Sequence, residues 1–572
     1  MSRRLLLPLF LLFAATLQAF SKPETWLQIR SQHFVVISDA GEKDAKHVAD
    51  QFERMRGVFH TAFPHMQVDP PAPIMVIAVK NEKDFRALEP SEYLAKGMLH
   101  LGGLFLRTPD KNYVLMRLDT DNETHPYAVV YHEYTHLLCS KAEDWMPLWL
   151  NEGFAQFFEN TDIRGNDISS GEPSSENILL LRQNKLIPLT TLFAVDHSSP
   201  YYHEENKGSI FYAESWALTH YFEIEDQKDG THHLADYLQL VANHVDPVTA
   251  GTRAFGDLNK LQKTLDAYVG RFQFMKFVMK APIEVDDSTF VITPLTESQA
   301  DATRADFLVY NRRAEDAKTL LDSVLKEDPK NALAHETMGH IEFYQGNLDK
   351  ARTWYQQAIS LDSQNFLANY YFAAISLRDG PPNDDLAPQV ENSLRSAIKL
   401  YPDFAPSYDL FAVLCLMRRD DLEEAHSMSL MAVQLDPANV RYRVNAGNIL
   451  MQLKQPENAI RVFQNAAKLA KNPEETAEVE NSLRMAQQYL AALEQPANPA
   501  VERDGGPSAE TSAEASTPPV LLHRAHSLDG PRHEAKGLIK NIRCSAPAIM
   551  EFDIVDKNRT TSLHSDLSLI HI

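Results

Sequence analysis

Apolar residues recur along this chain at two different periods, and the change of period divides it. In the first half they come in short blocks. Residues 33–38 (HFVVIS) and 74–79 (IMVIAV) have the length and β-branched content of strands, the second of a buried type. Residues 43–63 have helical spacing between these blocks, and Asn81 is placed to cap a further helix. Residues 103–107 and 112–118 flank Thr108-Pro109-Asp110-Lys111, a pattern that predicts a hairpin. Helices are then predicted around residues 128–139 and again from Glu152. The stretch 160–285 looks mainly helical. Residues 23–285 thus read as one α+β domain.

From residue 298 the pattern repeats itself. Turns fall at Asp328-Pro329, Asp362-Ser363, Tyr401-Pro402 and Asp436-Pro437, spaced by 34, 39 and 35 residues. The unit that begins at Ala332 carries Gly339 in its first helix and Ala351, Tyr355 and Ala358 in its second. Ala305 and Ala317 repeat the pattern upstream. Ala425 and Ala432 repeat it downstream, followed by Gly447, Ala459, Phe463 and Ala466. Small residues recur because paired helices must approach closely, and stacked pairs then bury a continuous core. The tract resembles tetratricopeptide (TPR) repeats, about five of them. The 39-residue unit holds an insertion at residues 379–384, and 474–493 reads as a capping helix. The resemblance implies an all-α solenoid over residues 298–495 that binds a protein partner, or a scaffold with no dedicated ligand.

Residues 496–520 are rich in Pro, Ala, Ser, Glu and Gly and read as a disordered linker. Residues 537–544 and 548–555 alternate as strands and Thr560 opens a third, so 521–566 read as a small, truncated β module. The last six residues, 567–572, look like a translated sequencing adaptor rather than biology.

Composition narrows the function. The 572 residues carry a formal net charge of −23 with no basic cluster, which argues against nucleic acid or an anionic membrane as partner. The three cysteines Cys139, Cys415 and Cys544 are far apart and odd in number, so no disulfide framework is expected. Arg3 and Arg4 precede an apolar run over residues 5–17, and Leu17-Gln18-Ala19 is an acceptable cleavage site. Residues 1–19 therefore read as a signal peptide, with an uncleaved anchor as the alternative. The expected location is exported, periplasmic or extracellular in a bacterium, with no stable membrane span after cleavage.

The chemistry concentrates in one place. His132-Glu133-x-x-His136 puts two imidazoles one helical turn apart on one face, within bonding reach of a single Zn²⁺. Glu133, one position along, sits where it can deprotonate water beside that metal. With fifteen residues between it and His136, Glu152 opens the next helix and supplies a third ligand. Three protein ligands leave the fourth tetrahedral position open, as a catalytic site requires. Two histidines packed in an amphipathic helix are the plain alternative. Cys139 fits better as a small core residue than as a competing ligand, and His220, His232 and His233 as surface or packing residues.

The pair of segments, His132-Glu133-x-x-His136 and Leu150-Asn151-Glu152-Gly153-Phe154-Ala155, resembles the gluzincin metallopeptidases over about residues 23–282. The fifteen-residue gap is similar to the peptidase MA-like branch, the aminopeptidase branch having eighteen. The resemblance implies a zincin-type fold, Zn²⁺ on His132, His136 and Glu152, and Glu133 as general base. It implies that one strand of the 103–118 hairpin pairs with substrate backbone, unless the hairpin is purely structural. Gly102-Gly103-Leu104-Phe105-Leu106 lacks the acid with which aminopeptidases hold a free amine, so an endopeptidase acting on peptides or proteins is expected. By the same resemblance Tyr212 is the candidate to hydrogen-bond the oxyanion, or else a core tyrosine. Gln156, one turn after Glu152, is the candidate support for a ligand. A second class stays open: a catalytically silent envelope scaffold or assembly factor that acts through the repeats.

Overall fold

The computed structural model describes residues 25–62, 74–94, 103–119, 127–139, 146–196, 198–202, 209–280, 283–494, 538–545, 549–556 and 559–566. The expected signal peptide, linker and adaptor remnant lie outside them. The α/β elements and the repeat helices form one compact unit, and the C-terminal strands belong to another.

The first unit begins β1 (Leu27–Arg30), β2 (Phe34–Ser38), α1 (Glu42–Ala62), β3 (Ile74–Val79) and α2 (Glu82–Leu88). Asn81 caps α2 by accepting a hydrogen bond from the Asp84 amide, as its position in the sequence suggests. The hairpin follows as β4 (Gly103–Arg107) and β5 (Asn112–Arg117). Next come α3 (Ala128–Cys139) and α4 (Leu148–Phe158). Short strands β6 (Asp162–Arg164) and β7 (Asp167–Ser170) lead to α5 (Ser175–Gln183) and α6 (Leu189–Leu192). Then come α7 (Ile210–Asp229), α8 (His233–Ala242), α9 (Pro247–Phe255) and α10 (Leu258–Val269), and finally β8 (Phe277–Lys280) and β9 (Val291–Pro294).

Six strands make the main sheet in the order β4-β5-β3-β2-β1-β9. The centre is parallel (β2, β3, β5), while β4, β1 and β9 run antiparallel to their neighbours. Side chains alternate between two buried cores. Phe34, Val36, Ile74, Val76, Val114 and Met116 face a core shared with α1, α3, α4 and α7. Ile37, Ile77, Val79, Tyr113 and Leu115 face the opposite core. The continuous apolar run of β3 has this cause, since a strand covered on both faces has no polar side.

Residues 160–285 are mainly helical, as expected, but β6, β7 and β8 add a three-stranded antiparallel sheet. The Gly165-Asn166 turn between β6 and β7 is a hairpin signal, but strands of three and four residues are too short to show a period. One expectation needs correction: the α/β region does not end at residue 285, because β9 adds to the main sheet beside β1.

What covers the second face is the repeat tract. It consists of five helical hairpins. These are α11 (Glu297–Tyr310) with α12 (Ala314–Glu327), and α13 (Ala332–Tyr344) with α14 (Leu348–Ser360). Then follow α15 (Phe366–Leu377) with α16 (Ala387–Leu400), and α17 (Ala405–Arg418) with α18 (Leu422–Leu435). The fifth pairs α19 (Val440–Gln452) with α20 (Pro456–Ala467), and α21 (Pro473–Glu494) closes the stack. A Cβ on Gly339 would stand 2.7 Å from the Tyr355 ring, so α13 and α14 touch only because that position has no side chain. The insertion at residues 379–384 forms the connection from α15 to α16. Ala300, Phe307, Leu308, Leu321 and Ile341 of the first hairpins share one core with the outer face of the sheet. No helix among the described residues is long and apolar enough to cross a membrane.

In the second unit β10 (Leu538–Ser545), β11 (Ile549–Asp556) and β12 (Arg559–Asp566) pair antiparallel in sequence order.

Candidate metal centre

Helix α3 is apolar on most of its surface. Val130, Tyr131, Tyr134, Leu137, Leu138 and Cys139 are buried in the core on the inner face of the sheet. Tyr134 packs edge-on against Phe34 of β2 and Phe59 of α1. His132 and His136 leave the helix one turn apart, with Glu133 half-buried between them in sequence. Their rings meet nearly at right angles, and the two Nε2 atoms stand 3.2 Å apart.

Helix α4 lies against α3 and delivers Glu152 to the same point. Its Oε2 is 3.3 Å from Nε2 of His136 and 3.6 Å from Nε2 of His132. One ligand atom from each of the three residues falls within 4.8 Å of the others, the geometry of a site that could hold a metal. The depth at which α4 sits is set by Gly153. A Cβ there would come within 2.1 Å of Thr219 Oγ1 and 2.8 Å of the Ser215 carbonyl on α7. Any larger residue would push Glu152 out of place.

The far sides of the imidazoles are also held. His136 donates from Nδ1 to Asn151 Oδ1 at 3.0 Å, since an amide oxygen only accepts. Nδ1 of His132 has Glu159 Oε2 at 3.4 Å and the Gln156 amide at 3.5 Å. Gln156 in turn accepts from Asn177 Nδ2 at 2.6 Å. Burial opposes a charge on Glu152, yet His136 and His132 beside it hold its carboxyl well below the usual carboxylate range. Oε2 of Glu152 is buried without an aligned hydrogen bond. An ionised, buried oxygen that faces two imidazole nitrogens and has no donor of its own fits a cation.

Tyr212 lies on α7, the helix that packs on α4. It is fully buried, its ring against Phe211 and Tyr202. The remaining histidines behave as the sequence suggests. His220 is a satisfied core residue, bonded to the Tyr268 hydroxyl and the Met275 carbonyl. His233 pairs with Asp226, and His232 is exposed. Cys139 is buried at the end of α3.

Two contributing residues escape a reading of the sequence. Asn151 is adjacent to Glu152, where its side chain would be expected to point elsewhere. Glu159 is seven residues after Glu152, two helical turns along the same face, and that spacing is the signal that could have found it.

Both matches to family models lie in the repeat tract: "TPR repeat" over residues 339–380 and "Tetratricopeptide repeat" over 440–473. Among curated proteins the chain is similar to a DnaJ homolog subfamily C member 7 homolog of Schizosaccharomyces pombe, at 24% identity over 167 residues. That match takes in 28% of this chain and 29% of the relative's length. Similar solved structures include YrrB, described as a TPR protein with an unusual peptide-binding site (16% identity, TM-score 0.29, 32% of this chain and 90% of that one). MamA from Desulfovibrio magneticus RS-1 is another (18% identity, TM-score 0.26, 30% and 96%). So is TTC0263, a thermophilic TPR protein of Thermus thermophilus (14% identity, TM-score 0.24, 33% and 99%). The C-terminal helical tract carries TPR repeats, modules of protein–protein contact.

Proposed function

We propose that this chain is an exported zinc-dependent endopeptidase of the zincin type whose TPR repeats engage a protein partner. The observation that carries the reading is the meeting of His132, His136 and Glu152, with the carboxylate oxygen of Glu152 buried and undonated between two imidazoles. Zinc held by these three residues would supply a Lewis acid for a peptide carbonyl and would acidify an attacking water.

The protein's own groups supply the rest. Glu133 takes the proton of the attacking water and returns it to the leaving amine. Asn151 holds His136 and Glu159 holds His132 through their Nδ1 atoms, which leaves both Nε2 atoms facing Glu152. Tyr212 is the candidate to hydrogen-bond the oxyanion, its hydroxyl keeping its proton as the carbonyl is attacked. Strand β4 is bonded only to β5 among the described residues, and α3 lies alongside it, so its open edge can take an extended substrate as an added strand.

The family-model matches, confined to the repeats, favour a second reading: a silent peptidase fold that serves as an assembly scaffold. Metal analysis and digestion separate the two. The purified chain should hold about one zinc per molecule and cleave a broad peptide mixture. Chelation should abolish cleavage, and added zinc should restore it. Stoichiometric zinc with no cleavage, and a stable protein partner on the repeats, would instead establish the scaffold.

A further inference from the structure

The turn between β4 and β5 is an odd place for charge. Asp110 and Lys111 read as solvent-facing residues of a tight hairpin, but both are buried: Asp110 is 7% exposed and the Lys111 side chain 12%. They are set against α11, the first helix of the repeat stack, and against Asn365, which immediately precedes α15. Helix α13 packs on α11 behind them.

Both charged side chains of the turn find partners there. Asp110 accepts from the Tyr310 hydroxyl at 2.8 Å, from Asn365 Nδ2 at 2.8 Å and from Thr108 in its own turn at 3.0 Å. Lys111 Nζ lies 2.6 Å from Asp306 Oδ2, which also accepts from Tyr113 of β5 at 2.5 Å. Thr337 on α13 donates to the other oxygen of Asp306. Glu336, the third carboxylate, is held by Ser363 at 2.5 Å and Asn365 at 3.2 Å. Burial works against the charge on Lys111, yet Asp110 and Asp306 keep it firmly protonated.

Complementarity of this kind is that of a ligand in a groove. Withdrawing the turn would leave Asp306 without its cation and would take the Asp110 carboxylate away from Tyr310 and Asn365. The turn is also the root of β4. Leu104 and Leu106 lean toward the repeats, while Phe105 packs against the core that holds the metal-centre helices.

We propose that the inner surface of the first three TPR hairpins is a receptor for this chain's own β4–β5 turn, and that Asp306, Tyr310 and Asn365 are positioning residues which fix the substrate-pairing edge of β4. The grip stands on its own geometry, whereas the substrate role rests on the peptidase reading above. The repeats would then act first in cis, aligning the strand against which a peptide is laid, and only hairpins further along remain open to another protein.

Two variants of the full-length chain test this, Asp306→Asn and the milder Asn365→Leu, which strands no buried cation. In hydrogen–deuterium exchange, residues 104–111 should lose protection by about tenfold, with α3 and α7 unchanged. On the best-cleaved peptide of the mixture KM should rise by about tenfold with kcat held to within about twofold, and zinc content should stay the same. Unchanged exchange at residues 104–111, or a uniform loss across the chain, would overturn the grip. Local loss of protection with KM unmoved would overturn the positioning role. A wild-type chain that cleaves nothing would sink the peptidase reading while the exchange result still decides the grip.

Discussion

Replacing Glu133 by glutamine is expected to lower kcat/KM on any cleavable peptide by about a thousandfold, the scale of a lost general base, and to leave the zinc in place. Glutamine keeps the size and the hydrogen-bonding reach of the side chain but cannot hold the proton of the attacking water. The three proposed ligands are untouched, and so are Asn151 and Glu159 behind them. Steady-state rates on one defined peptide and metal analysis of the same preparation check the two halves together. If the variant retained more than a tenth of wild-type activity, Glu133 would not be the base. If the zinc also left, the substitution would have disturbed the site and would say nothing about proton transfer.

The second large effect concerns the repeats. A chain truncated after Leu295 is expected to aggregate or to unfold without cooperativity. Its sheet would expose Ile37, Ile77, Val79, Tyr113 and Leu115, and α2 would expose Phe85 and Leu88, all buried in the core shared with the first repeat helices in the intact chain. At about 1.5–3 kcal/mol for each large apolar side chain, the loss is on the order of 10 kcal/mol, as large as the whole stability of an ordinary domain. Polar ties go as well. Asn311 donates to the Leu88 carbonyl and Arg313 to the carbonyls of Ala87 and Glu89, so the repeats also finish the C-terminal end of α2. Size-exclusion chromatography and thermal melting of the fragment check this. A monomeric fragment that melts cooperatively near the temperature of the full chain would show that the two regions are independent.

That dependence marks the limit of what the sequence makes legible. The strand at residues 74–79 is readable as buried because it lacks a polar side. What covers it is not readable: Ala300, Phe307 and Ile341 have the character of inner repeat positions whether they meet the next repeat or a sheet. The hairpin turn is readable from Pro109, but the destination of Asp110 and Lys111 is not, since charged residues at a turn normally belong to solvent. Strand β9 is missed because it is four residues long and mostly exposed, so it has no apolar period. The candidate site is more transparent. Two imidazoles at i and i+4 must share a helix face, and a glutamate on the following helix can return to them, although Glu152 lies in the second turn of α4 rather than at its start. Its supports are less so, because Asn151 and Glu159 act only through contacts made after α3 and α4 have packed.

The central claim is that His132, His136 and Glu152 hold a metal, and an anomalous difference map collected on either side of the zinc absorption edge tests it most directly. The account predicts one strong peak that appears only above the edge, about 2.0–2.1 Å from an Nε2 atom of each histidine and at a similar distance from a Glu152 oxygen. Crystals grown with zinc that show no peak there, or a peak held by other residues, would contradict it.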